Sequence, residues 1–360
     1  MNMNNSITTK DQGMTNKIFS SDNTAGAAPA VIQAILDAST GPQSPYGADV
    51  YSQAAEDKLS IIFECPVTVF LVPTGTAANA LGLSVLTPPW GSVLCHPESH
   101  INNDECGAPE FFTNGAKLVL VNGENSKICP THLAKIAGLK TGDVHSVQAA
   151  VVSISQTTES GSVYSLEEIN TLGNLCKEHS LRLHMDGARF ANALVALECT
   201  PAEMTWKAGV EVLSFGATKN GVLAAEAIIL FDQTLAQELA FRRKRAGHLM
   251  SKMRLLAAQL DAYLTDDLWL VNARQANAMA VRLDHGLRTI EGVEIQGVTQ
   301  ANMLFCKLPR PVIDGLLDQG FYFYSDRWDT DVVRLVTNFT TQNADVDSLI
   351  DAVKLLVKNY

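Results

Sequence analysis

Two residue types able to hold an imine-forming cofactor stand at matching places in this chain. In Leu-His-Met-Asp186-Gly-Ala-Arg189 and in Ser-Phe-Gly-Ala-Thr218-Lys219-Asn-Gly, ionisable groups follow short apolar runs, Leu181–Met185 and Val212–Phe215, that read as strands. An Asp at one strand end and a Lys at another suit pyridoxal phosphate (PLP) chemistry. The lysine amine carries the cofactor as a Schiff base, and the carboxylate keeps the pyridine nitrogen protonated so that the ring accepts electrons. Each residue alone also has a plain structural reading: Asp186 as a helix N-cap with an ion pair to Arg189, and Lys219 as a solvated loop lysine. The rest of the chain decides between them.

Groups at strand ends are useful only if a sheet brings those ends together. The spacing of apolar residues predicts helices at Pro29–Ala38 and Ser52–Phe63 and a strand at Val67–Val72. Helical and strand patterns then alternate: Ala77–Leu86, Ser92–Cys95, Lys117–Val121, Thr131–Ala137, Ala149–Ile154, Leu166–His179 and Leu181–Met185. That rhythm predicts an α/β protein with a mostly parallel sheet wrapped by helices. Asp232–Leu264 reads as strongly helical and basic, and Trp269–Leu287 as a further helix. Short strands at Asn302–Lys307, Gly320–Tyr324 and Val332–Val336 and a helix at Val346–Asn359 suggest a smaller C-terminal α/β domain. The expected division is a flexible tail over 1–17, a large domain over 18–255 and a small domain over 256–360.

With 360 residues the chain can bury a large core, and its composition is that of a globular protein. A net charge of −11 argues against nucleic acid or an anionic membrane surface as the main partner. The seven cysteines are scattered without a Cys-x-x-Cys pair, as reduced thiols rather than a zinc site or a disulfide framework. The polar first seventeen residues lack the apolar core of a signal peptide, and no apolar run is long enough to span a bilayer. The expected compartment is the cytoplasm.

Three further places could carry chemistry. Pro73-Thr74-Gly75-Thr76-Ala77-Ala78-Asn79 is a small-residue turn opening a helix, either a phosphate site or an ordinary capped helix. His100, in Pro97-Glu98-Ser99-His100, follows a strand of the sheet, where ligands bind in open α/β folds; His145, before Ala149–Ile154, is a weaker candidate. Arg334 lies inside the apolar strand Val332–Val336 and needs an anion, either a substrate carboxylate or a structural acidic partner.

In this order the features resemble those of the fold-type I, aminotransferase-like PLP enzymes. More narrowly, the chain resembles the low-specificity L-threonine aldolases, including their phenylserine aldolase-like branch. The segments that carry the resemblance are Ser20-Ser21-Asp22-Asn23, Pro45-Tyr46-Gly47-Ala48-Asp49, Thr74–Asn79, Ser99-His100 with Asp104–Phe112, His184–Phe190, Thr218–Gly221 and Val333–Thr337. The resemblance runs from about residue 19 to the C-terminus and implies a seven-stranded, mostly parallel sheet in the large domain.

It also implies roles. Lys219 would bind PLP covalently, Asp186 would pair with the pyridine nitrogen, and Arg189 would sit near the cofactor's 3′ oxygen. Gly75 and Thr76 would cradle the phosphate and His100 would stack on the ring. Ser21 and Arg334 would bind the amino-acid carboxylate, with Tyr46 and His145 lining the substrate space. Lys244 and Lys252 would reach the phosphate of a neighbouring subunit, in a homodimer or a homotetramer with shared active sites. Lys252 is offset from the family's position, and Asn338 stands where many members carry a His. The implied reaction is cleavage of L-threonine, L-allo-threonine or L-phenylserine to glycine and an aldehyde, with His100, His145 or a water between them as base. β-Elimination or transamination on the same scaffold is the alternative, and a non-catalytic scaffold would have lost Lys219 or Asp186. No metal site is expected.

Overall fold

Seven apolar runs pair into one sheet and four shorter ones into a second in the computed structural model, which describes residues 16–358. The strands are β1 (Thr68–Val72), β2 (Gly91–Cys95), β3 (Lys117–Leu120), β4 (Gln148–Ser155), β5 (Arg182–Gly187), β6 (Val212–Phe215) and β7 (Glu226–Leu230), in the order β1-β7-β6-β5-β4-β2-β3. Neighbours from β6 to β3 are parallel, and only β7 runs against its two neighbours. β2, β6 and β7 are buried along their whole length, as strands covered by helices on both faces must be. The α/β fold with a mostly parallel seven-stranded sheet is therefore as expected.

Register fixes the chemistry. Asp186 ends β5 opposite Ser155 of β4 and Ser214 of β6, so it emerges at the carboxyl edge of the sheet. His184, two residues earlier on the same face, is fully buried between the Ser153 hydroxyl at 2.9 Å and the Ser214 hydroxyl at 3.0 Å. Burial pushes its pKa down to about 4, so it is a neutral strand-to-strand clamp rather than a proton carrier. The helix Gly75–Leu86 packs over this region with Ala77 to Leu86 all buried. A Cβ at its Gly82 would lie 3.1 Å from Val212 Cγ1, which explains the small residue at that crossing.

The second sheet comprises β8 (Glu294–Gln296), β9 (Met303–Lys307), β10 (Tyr324–Ser325) and β11 (Val332–Val336), antiparallel in the order β10-β11-β9-β8. Alternation along β11 sends Val333 and Leu335 into a core with Leu283, Val312 and Leu349. Val332 and Val336 pack instead with Met303 and Phe305 on the opposite face, which Arg334 shares. The helix Leu268–Arg288 bridges the two parts, with Trp269 and Ala273 in the large core and Leu283 and Leu287 in the small one.

Three expectations change. The helical reading of Asp232–Leu264 breaks into Ala236–Arg245 and Arg254–Leu264, because Gly247 turns the chain at φ +82°. The strand read over Gly320–Tyr324 shrinks to Tyr324–Ser325, and Tyr322 instead bridges Ile18. β7 was not anticipated, since Glu226 hides the start of an apolar strand. Of the expected tail over 1–17, residues 1–15 lie outside the described residues, as does Asn359 of the last expected helix. The Asn16 amide donates to Asp345 Oδ1 at 2.6 Å, and the Lys17 carbonyl accepts from the Tyr322 amide at 2.8 Å.

Candidate active site

At the carboxyl edge of the large sheet the loops after β5 and β6 touch through glycine. A Cβ at Gly216 would sit 2.5 Å from the Ala188 carbonyl oxygen, and one at Gly187 would sit 2.8 Å from Leu213 Cδ1. Only bare backbone lets the Lys219 loop lie against the loop that follows Asp186. Gly216→Ala should therefore separate the two groups. A destabilisation of about 1–3 kcal/mol is expected, with loss of bound cofactor, and a thermal melt with the absorption spectrum would read both.

Lys219 is held from both sides of the chain. Glu226, buried on β7, accepts the Ala217 amide at 2.9 Å, and burial holds its carboxyl above the usual range. After the lysine, Asn220 Nδ2 donates to the Tyr263 hydroxyl at 2.7 Å and to the Trp269 carbonyl at 2.8 Å. The lysine side chain lines a cavity of about 440 Å³ together with Ser21, His100, Glu159, Arg189 and Arg334.

Asp186 is set by its neighbours. Its Oδ1 accepts the Ala188 amide at 3.0 Å and its Oδ2 accepts Asn79 Nδ2 at 2.9 Å. Asn79 donates also to Glu105 Oε1 at 2.8 Å, and the same oxygen meets His100 Nδ1 at 2.8 Å. The chain His100–Glu105–Asn79–Asp186 thus joins the imidazole to the strand-end carboxylate. No part of the Glu105 side chain reaches solvent, so desolvation raises its pKa. Its hydrogen bond raises that of His100 in turn, by favouring the imidazolium.

The carboxylate-binding side is equally built. Arg189 is buried in a bidentate pair with Asp22, Nε to Oδ2 at 2.7 Å and Nη2 to Oδ1 at 3.0 Å, and Asn302 Nδ2 donates to the same carboxylate at 3.0 Å. This cluster holds the Asp22 carboxyl below the usual range despite its burial. Arg334 donates Nη2 to the Ser20 carbonyl at 3.0 Å and lies 5.2 Å from the Tyr324 ring centre and 5.1 Å from that of Trp328. Its Nε is buried without a hydrogen-bond partner, and desolvation lowers its pKa. A guanidinium that lines a cavity and makes no ion pair among the described residues is a place for an anion.

Lys219, His100, Arg189, Ser21 and Arg334 thus meet around one cavity, with Asp186 joined to His100 through Glu105 and Asn79. Gly75 and Thr76 open the helix after β1, capped by Thr74 Oγ1 accepting the Ala77 amide at 3.1 Å, and do not line that cavity. Tyr46, Lys244 and Lys252 gather elsewhere. The Lys244 amine lies 5.2 Å from the Tyr46 ring centre, and the Tyr46 amide donates to Ser251, beside Lys252, at 2.9 Å. His145, like Tyr46, does not line this cavity of its own chain. It is exposed on the turn before β4, at the amino end of a parallel strand whose carboxyl end faces the site. Glu105, Asn79, Asp22 and Glu226 had been given no role. Glu226 left a signal, as a lone acid heading an apolar run, but Glu105 and Asn79 left none outside the folded contacts.

The residues fit PLP. Lys219, which makes no ion pair among the described residues, the His100 imidazole and the Arg189 and Arg334 guanidiniums surround a space large enough for the cofactor and an amino acid, and Asp186 is joined to His100 through Glu105 and Asn79.

A sequence model described as beta-eliminating lyase matches residues 19–309, and the chain belongs to that family. It is accordingly a PLP-dependent lyase. Two relatives, each called low specificity L-threonine aldolase, from Pseudomonas sp. and Pseudomonas aeruginosa, are each 42% identical over 327 residues, 88% of this chain and 94% of theirs. The solved structure of Leishmania major threonine aldolase superposes with a TM-score of 0.89 at 28% identity, covering 95% of this chain and 100% of that one.

Proposed function

We propose that the protein cleaves L-threonine, L-allo-threonine and L-phenylserine between Cα and Cβ, giving glycine and an aldehyde. The observation that carries this reading is one cavity lined by Lys219, His100 and Arg334, which has no acidic partner among the described residues, in a chain with extended identity to enzymes called L-threonine aldolases. Lys219, Asp186 and His100 would hold PLP, with Gly75 and Thr76 at the helix start after β1 as the phosphate contacts, and the cofactor would supply an electron sink for the charge left on the substrate's Cα. Arg334 and Ser21 bind the α-carboxylate and so turn the Cα–Cβ bond to the reactive orientation. His100, held by Glu105, faces the substrate hydroxyl. Arg189 is kept rigid by Asp22, and the Asp22–Asn302 contact ties the site to the second sheet.

Tyr46, Lys244, Lys252 and His145 do not gather around their own chain's Lys219, and we assign them to the site of a neighbouring copy in a homo-oligomer. The domain division near residue 255 and a cytoplasmic location belong to the same reading. No helix among the described residues is long and apolar enough to cross a membrane.

The test is an absorption spectrum of the purified holoenzyme with and without L-threonine or L-phenylserine, with products assayed. A shifted cofactor band with glycine and aldehyde supports the reading. The 2-oxo acid that keeps the whole carbon skeleton (2-oxobutanoate from L-threonine, phenylpyruvate from L-phenylserine), with ammonia, would instead favour β-elimination, the chemistry that the family's description names. Arg334→Ala should raise KM and lower kcat/KM by about 10²-fold while the cofactor spectrum persists, as expected for a lost charge-assisted pair. Unaltered kinetics would return Arg334 to a purely structural role.

A further inference from the structure

Next to the Lys219 cavity lies a second open chamber of about 530 Å³, and Glu98, Glu159, Arg327 and Trp328 line both. A third space against Glu98 and Glu159, of about 10 Å³, has room for no more than a water. A substrate whose α-carboxylate meets Arg334 and whose amino end meets Lys219 has both groups in the first cavity. The shared lining residues leave the chamber open to a β-substituent too large for the first cavity. Trp328 and Phe305 form an aromatic wall there, edge to face with ring centres 5.0 Å apart, beside Val298 and Val332.

The charge in the chamber is one-sided. Glu98, Glu159 and Asp329 line it and make no ion pair among the described residues. Arg327, its one lining cation, is spent on Asp104 at 2.7 Å. Glu98 is exposed, whereas Glu159 is half-buried at the opening. The charge of Glu159 also reaches His100, Arg189 and Arg334 across the first cavity.

We propose that this chamber takes the β-substituent of substrates larger than threonine and that Glu159 sets its charge class. Neutral aromatic and cationic groups enter, and anionic groups are refused. The attractive part is the Trp328–Phe305 wall, which receives rings and ring-borne cations. The repulsive part is the Glu159 carboxylate at the opening, which makes no direct ion pair among the described residues and faces an entering second negative charge on the chamber side, away from the Arg334 and Arg189 side of the first cavity. The inference deepens the proposed aldol cleavage by naming its substrate class. It is nevertheless tested through binding, which does not require cleavage.

The experiment titrates the holoenzyme calorimetrically with L-phenylalanine and its 4-aminomethyl and 4-carboxy derivatives, which lack the β-hydroxyl. Wild type, E159Q and E159K are compared. Wild type should bind the 4-carboxy ligand about tenfold or more weakly than the other two. E159Q should narrow that ratio, and E159K should reverse the order of the two charged ligands. Equal affinities in wild type, a ratio unchanged in both variants, or equal weakening of all three ligands would each overturn the proposal. The expected binding order in an enzyme that cleaves neither L-threonine nor L-phenylserine would leave the chamber in place and overturn the aldol reading instead.

Discussion

Lys219→Ala abolishes the visible absorption of the bound cofactor and lowers turnover by about 10⁴-fold or more, the scale of losing a group on which the other active-site groups depend. The loss should be chemical rather than structural. Glu226 holds the loop through the Ala217 amide and Asn220 anchors the far side to Tyr263 and Trp269, so the backbone is fixed without the lysine side chain. Lys219 makes no ion pair among the described residues, and its removal strands no partner. Thermal stability should stay within about 0.5 kcal/mol of wild type, as for a side chain that supports nothing else. Spectrum and melt together are decisive: an unchanged visible band would move the covalent attachment to another lysine, and a collapsed melt would make the lysine a structural element.

Much of this arrangement was legible because parallel sheets punctuate their own active sites. Apolar runs ending in Asp186 and before Lys219 mark strand ends, and β5 and β6 do pair side by side, Asp186 opposite Ser214. Arg334 stood out as the charge in an otherwise apolar strand. The place of His145 is legible by the same rule. It precedes its strand, whereas ligands collect after the strands of such sheets, so its own chain carries it to the far edge. The helical reading through 246–253 failed for a local reason, a positive φ at Gly247 that ends one helix before the next begins. Glu105 was illegible for a non-local one. His100 is close in the chain, but Asn79, which joins Glu105 to Asp186, meets it only once the helix Gly75–Leu86 is laid over the sheet, and helical periodicity says nothing of that crossing.

That buried carboxylate carries the second large effect. Glu105→Gln should leave the cofactor spectrum intact and lower kcat/KM by about 10- to 100-fold, the usual scale for losing an outer contact that orients a working imidazole. The sign of the pH effect follows from the contact. Glu105 raises the His100 pKa by hydrogen-bonding the imidazolium, so an uncharged amide lets that pKa fall. The limb of the kcat/KM profile that reports His100 should therefore move toward acid. Stability moves with it. A histidine whose folded pKa lies above its unfolded value stabilises fully below the unfolded pKa, about 6.5, and loses that contribution as pH rises through the raised folded value. Wild type should thus gain stability over Glu105→Gln on the acid side of that window. Glu105→Ala is harsher, because it leaves the buried Asn79 Nδ2 with only its Asp186 bond, at about 1–3 kcal/mol unless water replaces the lost oxygen, and leaves His100 Nδ1 to solvent. Paired pH–rate profiles and melts of the two variants separate the contributions. A lower rate with an unmoved limb would mean that Glu105 shapes the site without tuning His100. A moved limb would make the buried acid the group that sets the proton affinity above the ring.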